Sequence, residues 1–115
     1  MRVLGIEGTA WAASAALYDD AEDTIFIESD PYQPDSGGIH PREAAEHMGE
    51  AIPQVIERVL SYAAETADDA GVDGNAYGID GVAFSRGPGL GPCLRTVGTA
   101  ARAAAQSLDV PLVGV

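Results

Sequence analysis

The chemistry in this chain begins at Ser85-Arg86-Gly87-Pro88-Gly89-Leu90-Gly91-Pro92-Cys93-Leu94-Arg95. Glycine recurs at every second position, between an apolar run, Ile79 to Phe84, and an Ala-rich run, Cys93 to Leu108. A strand, a glycine loop and then a helix would aim unpaired backbone N–H groups and the positive end of a helix dipole at one point. Such an end suits an anion or a polar substrate. The Lys-Ser/Thr pair of a nucleotide-binding P-loop is missing, which excludes a Walker motif. The alternative is a tight turn that needs glycine for its backbone angles. A second polar turn, Glu7-Gly8-Thr9-Ala10, follows the first strand-like segment. Arg86, Arg95 and Arg102 lie in and after the glycine loop and are half of the basic residues. They could meet phosphate groups or pair with neighbouring carboxylates. His40 and His47 are seven apart, about two helical turns, which is not the i, i+4 spacing of a helical zinc pair. A structural histidine at a helix end is the reading favoured for them.

These residues need elements to hold them. Arg2–Glu7, Ala13–Tyr18 and Thr24–Glu28 alternate as three strands of a meander, with Asp19 to Asp23 as a solvated link. Ser29 to His40 reads as a long irregular segment with two prolines and the pair Gly37-Gly38. Pro41 can open a helix. Ala45, Met48, Ile52, Val55, Ile56, Val59, Leu60 and Ala63 then repeat at three and four as its apolar face, with Glu43, Glu46, Glu50, Glu57 and Arg58 off it. Pro53 predicts a kink or two successive helices. Asp68 to Gly78 is polar and glycine-containing, a loop. The strand Ile79–Phe84, the second helix and an apolar strand within Val110 to Val115 complete the order β-β-β-α-β-α-β. In an open sheet of that order the first strand is central, with the fourth parallel beside it. Ligands bind at the carboxyl ends of such strands, so Glu7–Ala10 and Ser85–Gly91 should converge on one crevice.

Composition sets the bounds. A chain of 115 residues with 46% hydrophobic content suits one globular domain. No apolar run could span a bilayer and none reads as a signal peptide, so a cytoplasmic, non-membrane protein is expected. The single Cys93 can form neither an internal disulfide nor a cysteine metal cluster. Eighteen acidic residues face six basic ones, all arginine, for a net charge of −12. Such a surface repels nucleic acid at ordinary salt. At molar salt the Debye length falls to about 3 Å and the repulsion is screened. An acidic, lysine-free chain is thus expected of a halophile.

The element order, with Ile-Glu-Gly-Thr after the first strand, resembles the actin-like ATPase (RNase H-like) duplicated fold. Three further pieces narrow it: Gly37-Gly38-Ile39-His40-Pro41-Arg42-Glu43-Ala44-Ala45-Glu46-His47, then Ser85 to Arg95, then Arg102 through Val113. Together they resemble the archaeal and eukaryotic Kae1 proteins, relatives of bacterial TsaD, formerly described as O-sialoglycoprotein endopeptidases. The resemblance runs the length of this chain and corresponds to the first third of a family member. It implies a single N-terminal lobe, residues 1–115, of a two-lobe fold whose second lobe is absent from this chain. The implied lobe is α/β, a mixed sheet with helices on both faces.

The resemblance also implies a function. Family members transfer a threonylcarbamoyl group from threonylcarbamoyl-adenylate to N6 of adenosine 37 in tRNAs reading ANN codons, forming t6A. Iron or zinc, held by two histidines, polarises a carbonyl in that acyl transfer, and AMP leaves. In the family signature the first of those histidines follows Arg102-Ala103, Leu108-Asp109, Pro111 and Val113 and would fall beyond Val115. No metal is therefore expected on this chain, and this fragment alone is expected to be inactive. The resemblance places Glu7 and Thr9 at the fold's first phosphate loop, facing substrate or a metal-bound water, or else as a turn cap beside a solvated carboxylate. Ser85, Gly87, Gly89, Gly91 and Arg95 complete the candidate substrate loops. Trp11 and Met48 stand where many archaeal relatives carry histidine; Met48 is in register with the apolar face and reads as core. The helical region 41–67 is where family members meet a partner, Pcc1 in the KEOPS assembly that also holds a Bud32-type kinase, with Tyr62 and Ile52 as candidate contacts. A non-catalytic TsaB-like scaffold and a small-molecule kinase lobe are the competing readings.

The charge makes a first prediction. Denaturation midpoints should be higher in molar KCl than in its absence, and equal midpoints would remove the halophilic reading.

Overall fold

The computed structural model describes residues 1–67 and 75–115. Seven elements follow in order: β1 (Arg2–Glu7), β2 (Ala12–Asp19), β3 (Thr24–Pro31), α1 (Pro41–Thr66), β4 (Gly81–Phe84), α2 (Gly91–Leu108) and β5 (Leu112–Gly114). The expected order holds. The sheet runs β3-β2-β1-β4-β5. β1 is central, antiparallel to β2 and parallel to β4, so the meander and the crossover part share one strand. The expected loop Asp68–Gly78 lies outside the described residues over 68–74.

Alternation in the strands decides which side is covered. Leu4 and Ile6 of β1, Ala13, Ala15 and Leu17 of β2, and Val82 of β4 are buried. They meet the apolar stripes of the helices: Met48, Ile52, Val55 and Val59 on α1, and Cys93, Val97 and Ala101 on α2. Both helices rest on this one face and pack against each other. Gly8 sits where they meet. A Cβ there would lie 2.8 Å from Ile52 Cδ1 and 2.9 Å from Val97 Cγ2. This differs from the expected helices on both faces: among the described residues the opposite face of the sheet carries none. Next to Glu7 that face is lined by the small residues Gly5, Ala16 and Ala83, and farther out on β2 and β3 it carries the exposed Tyr18, Ile25 and Ile27.

Several boundaries move for local reasons. β3 continues to Pro31 because its register with β2 holds to Ala12↔Pro31, which shortens the irregular segment to Tyr32–His40. α2 begins at Gly91 rather than Cys93, since Pro92 in the first turn needs no N–H partner. Its other end is closed by Asp109 in the left-handed region (φ 56°), whose N–H donates back into the last turn. α1 is one helix through Pro53, not two. Pro53 and Gly49, whose carbonyl loses its partner, are both exposed, so water can take that carbonyl. The buried stripe of α1 is centred on Ala44, Met48, Ala51, Val55, Val59 and Ala63, leaving Ala45, Ile56 and Leu60 at its edges.

One residue that pattern reading passed over ties this arrangement together. α1 has no basic residue in its last turn. Arg2, the first residue of β1, supplies that charge. Its guanidinium donates to the carbonyls of Ala63 (3.3 Å) and Tyr77 (2.7 Å) and to Thr66 Oγ1 (2.6 Å). Its Nε lies 3.7 Å from Asp19 Oδ2, and its backbone N–H donates to Asp80 Oδ2 at 2.8 Å. A cation at a helix C-terminus offsets the dipole and satisfies orphan carbonyls. Arg2→Met should lower stability by about 1.5–3 kcal/mol, the range for hydrogen bonds to a charged group, as read by chemical denaturation. Arg2→Lys should recover only part, lacking the fork.

Candidate functional site

Two loops leave the carboxyl ends of the parallel pair β1 and β4, and they touch. The N–H of Leu90 donates to the carbonyl of Thr9 at 2.9 Å. Gly89 lies directly on Thr9: a Cβ at 89 would fall 2.6 Å from Thr9 Cβ and 2.7 Å from Thr9 O. Only a residue without a side chain allows this approach. Gly87 has φ 144°, a backbone angle that favours glycine, and its peptide bond to Pro88 is cis.

Strand alternation aims two polar side chains at the uncovered face. Leu4 and Ile6 point to the helices, so Glu7 points away from them, as does Ser85 just past Val82 and Phe84. Glu7, Ser85, Gly5, Ala16, Ala83 and Ser14 line an open bay of about 310 Å³. Ser14 is the antiparallel partner of Glu7 and was not singled out in the sequence, although its period-two spacing from Ala12 and Ala16 places it there. Desolvation raises the carboxyl pKa of Glu7. Hydrogen bonds from Ser85, Thr9 and Gly8 outweigh it and hold the group below its ordinary value. The Thr9 N–H to Glu7 Oε1 bond is 2.5 Å. Glu7 is therefore a fixed anion at the bottom of the turn, and Thr9 braces that turn from above.

The start of α2 offers less to an anion than its position in sequence suggests. Leu90 spends its N–H on Thr9, and Pro92 has none. Gly91 and Cys93 retain the loose donors of the first turn. Cys93 itself is buried, and desolvation pushes its thiol up, away from nucleophilic use.

The structure thus brings Glu7, Thr9, Ser85, Gly87 and Gly89 to one region, with Gly91 at the helix start beside it. Arg95 stays close to that helix start, its guanidinium beside Gly91, where a Cβ would lie 3.9 Å from Arg95 Nη1. It is exposed and lines a groove of about 560 Å³ between the two helices with Ala45, Gly49, Pro53 and Thr99. Arg102 is exposed farther along α2, and Arg86 is exposed with its side chain against Gly114. Among the described residues none of the three pairs with a carboxylate. Ile52, a candidate partner contact, is fully buried under α1, and Tyr62 is stacked on Phe26 at 4.0 Å, so neither stands free. Met48 is core, as its register indicated.

Nor do the histidines form a centre. His40 is the N-cap of α1, and its Nε2 lies 2.8 Å from Ser36 Oγ. His47 Nε2 lies 3.0 Å from the carbonyl oxygen of Asp30 and 3.7 Å from its Oδ1. Among the described residues no three His, Cys, Asp or Glu side chains come together as a metal site. The side chains of the described residues do not fit iron or zinc. No helix described is long and apolar enough to cross a membrane.

The pKa direction at Glu7 gives a prediction. A carboxylate held below its unfolded value stabilises the fold at neutral pH, and that contribution fades as pH falls through the folded value. Glu7→Gln should cost about 1 kcal/mol at neutral pH and flatten the acid limb of the stability curve. Urea midpoints measured from pH 7 down to below the ordinary glutamate range would show it.

Known proteins agree with this architecture. The structure of YeaZ from Pseudomonas aeruginosa superposes with a TM-score of 0.68 at 17% identity, over 100% of this chain and 43% of that one, a likeness of fold. The "Probable bifunctional tRNA threonylcarbamoyladenosine biosynthesis protein" of Halobacterium salinarum is 72% identical over 100% of this chain and 20% of its own length. The "tRNA N6-adenosine threonylcarbamoyltransferase" of Methanocella arvoryzae is 55% identical over 99% of this chain and 31% of its own length. The chain spans a fifth to a third of these relatives. Its residues 23–115 match the family described as "TsaD: tRNA N6-adenosine threonylcarbamoyltransferase", and the chain belongs to that family.

Proposed function

We propose that this chain is the first lobe of a longer transferase and supplies one wall of its site for t6A formation, where a threonylcarbamoyl group passes from threonylcarbamoyl-adenylate to a tRNA adenosine. The observation that carries this reading is the backbone contact of Gly89 on Thr9, with Glu7 and Ser85 hydrogen-bonded beneath it. It supports a rigid, polar cleft at the carboxyl ends of β1 and β4, where open α/β sheets place ligands.

What the residues contribute is positioning. The reaction breaks the acyl–phosphate bond of the adenylate, forms a C–N bond to N6 and releases AMP and a proton. Glu7 holds the β1 turn by hydrogen bonds. The Gly91 and Cys93 amides offer donors toward an anionic group, where preorganised dipoles stabilise developing charge. The iron or zinc implied by the family resemblance would be held by other parts of the longer protein, as would most contacts to the second lobe. The helical region 41–67 would carry a Pcc1-like partner and neighbouring Bud32-type kinase of a KEOPS assembly. The word "bifunctional" in the relatives' names supports a fused second activity. The cytoplasm, where tRNA is modified, is the expected location.

The test is t6A formation by the full-length protein with its assembly partners, read by mass spectrometry of digested tRNA nucleosides. Wild type should form t6A, and the 115-residue chain alone should not. Gly89→Val should lower the rate about 100-fold, as misplacement of a positioning loop does. Glu22→Gln, exposed in the turn between β2 and β3, should leave the rate unchanged. No t6A from the full-length wild type, or full activity from Gly89→Val, would overturn the reading.

A further inference from the structure

The β1–β2 loop carries an aromatic side chain that the fold does not need. Trp11 lies two residues past Thr9 and is 52% exposed. Large aromatics are usually buried, because they carry the largest hydrophobic gain, so a half-bare indole next to a substrate loop calls for a reason. Its position is fixed, not loose. The Trp11 carbonyl accepts the Tyr32 N–H at 2.7 Å. The indole stacks on Tyr32 with centroids 6.2 Å apart and planes 27° apart. Tyr32 is itself buried and lies 5.9 Å from the His47 ring, which Asp30 holds. The indole is thus backed by Tyr32 and, through it, by His47 on α1 and Asp30 on β3, while half of its surface is left to solvent.

We propose that Trp11 is a positioning residue that stacks an unpaired nucleobase at the rim of the Thr9–Gly89 cleft. This rests on the reading given under the proposed function, which supplies two sources of such a base: the tRNA anticodon loop and the adenine of the adenylate. Charge favours stacking as the mode of capture. With eighteen acidic residues against six arginines, this chain repels the nucleic-acid backbone at ordinary salt and gains little from it when molar salt screens both charges. Base–aromatic stacking is not a charge–charge attraction and every base offers a π-face.

The experiment uses the full-length protein in molar KCl, with Trp11→Phe, Trp11→Leu and Trp11→Ala. Binding is measured separately for AMP and for an anticodon-stem-loop RNA with a fluorescent label, alongside KM and kcat for t6A formation. Stacking of this kind is worth roughly 5- to 150-fold in affinity by alanine substitution. We expect a loss in that range for Trp11→Ala and Trp11→Leu, near-complete recovery in Trp11→Phe, and an effect on KM greater than on kcat. Weakening toward the RNA alone assigns the base to tRNA; weakening toward AMP alone assigns it to the adenylate. Equal affinities for both probes in all three variants would overturn the proposal. So would equal loss in Phe and Leu variants, which marks simple apolar packing. Protection of the wild-type indole from acrylamide quenching without ligand would also overturn it, since another protein surface would then cover the ring. An inactive wild type that still binds either probe through Trp11 would count against the transferase reading and not against the stacking.

Discussion

Everything at the candidate site depends on the contact between two backbones at Thr9 and Gly89. β1 and β4 are neighbours in the sheet, so their connecting loops leave at the same end and compete for the same space. A glycine at 89 lets them share it, and one hydrogen bond from Leu90 to Thr9 locks the shared position. The lock has a chemical consequence, because it spends a donor that would otherwise point at a ligand. The loop is therefore less a phosphate cradle than a brace for the cleft wall, and the polar groups that line the open bay are those that strand alternation turns outward, Glu7, Ser85 and Ser14.

The brace works only if the strands beneath it hold their register, and two long-range features ensure that. Gly8 admits Ile52 and Val97 to the end of β1, so both helices close over the strand just where the site turn begins. At the other end of β1, Arg2 clamps the last turn of α1 and the segment before β4. The central strand is thus pinned at both ends by contacts to the same helix. The uncovered face is lined by small residues around Glu7, which leaves the site wall accessible from that side.

Much of this was legible in the chain itself. Period-two alternation defined three strands, the three-and-four repeat defined α1, and the strand–glycine–helix order marked the loop. Glu7, Thr9, Ser85, Gly87 and Gly89 could be grouped because parallel neighbours in an open sheet must put their carboxyl ends together. The family resemblance rested on Gly37–His47, Ser85–Arg95 and Arg102–Val113, all local strings. The acidic, lysine-free composition likewise needs no structure to be read.

What needed three dimensions is whatever depends on contacts between distant segments. Periodicity marks a helix's apolar side but not its partner, so it could not say that α1 and α2 share one face of the sheet or that Ile52 is sealed beneath them. Pro53 reads as a break in one dimension; in the fold it lies on the wet side, where the lost hydrogen bond goes to water. Arg95 keeps its guanidinium beside Gly91 of the loop and also lines the groove between the helices, because a side chain's direction on a helix is set by its rotation about the axis. Trp11 shows the same limit from the other side. Its type was visible, but only the stack on Tyr32, brought in by the segment after β3, backs the ring while leaving about half of it exposed. Sequence determined the elements and the chemistry they carry; packing between segments far apart in the chain decided which of those groups meet.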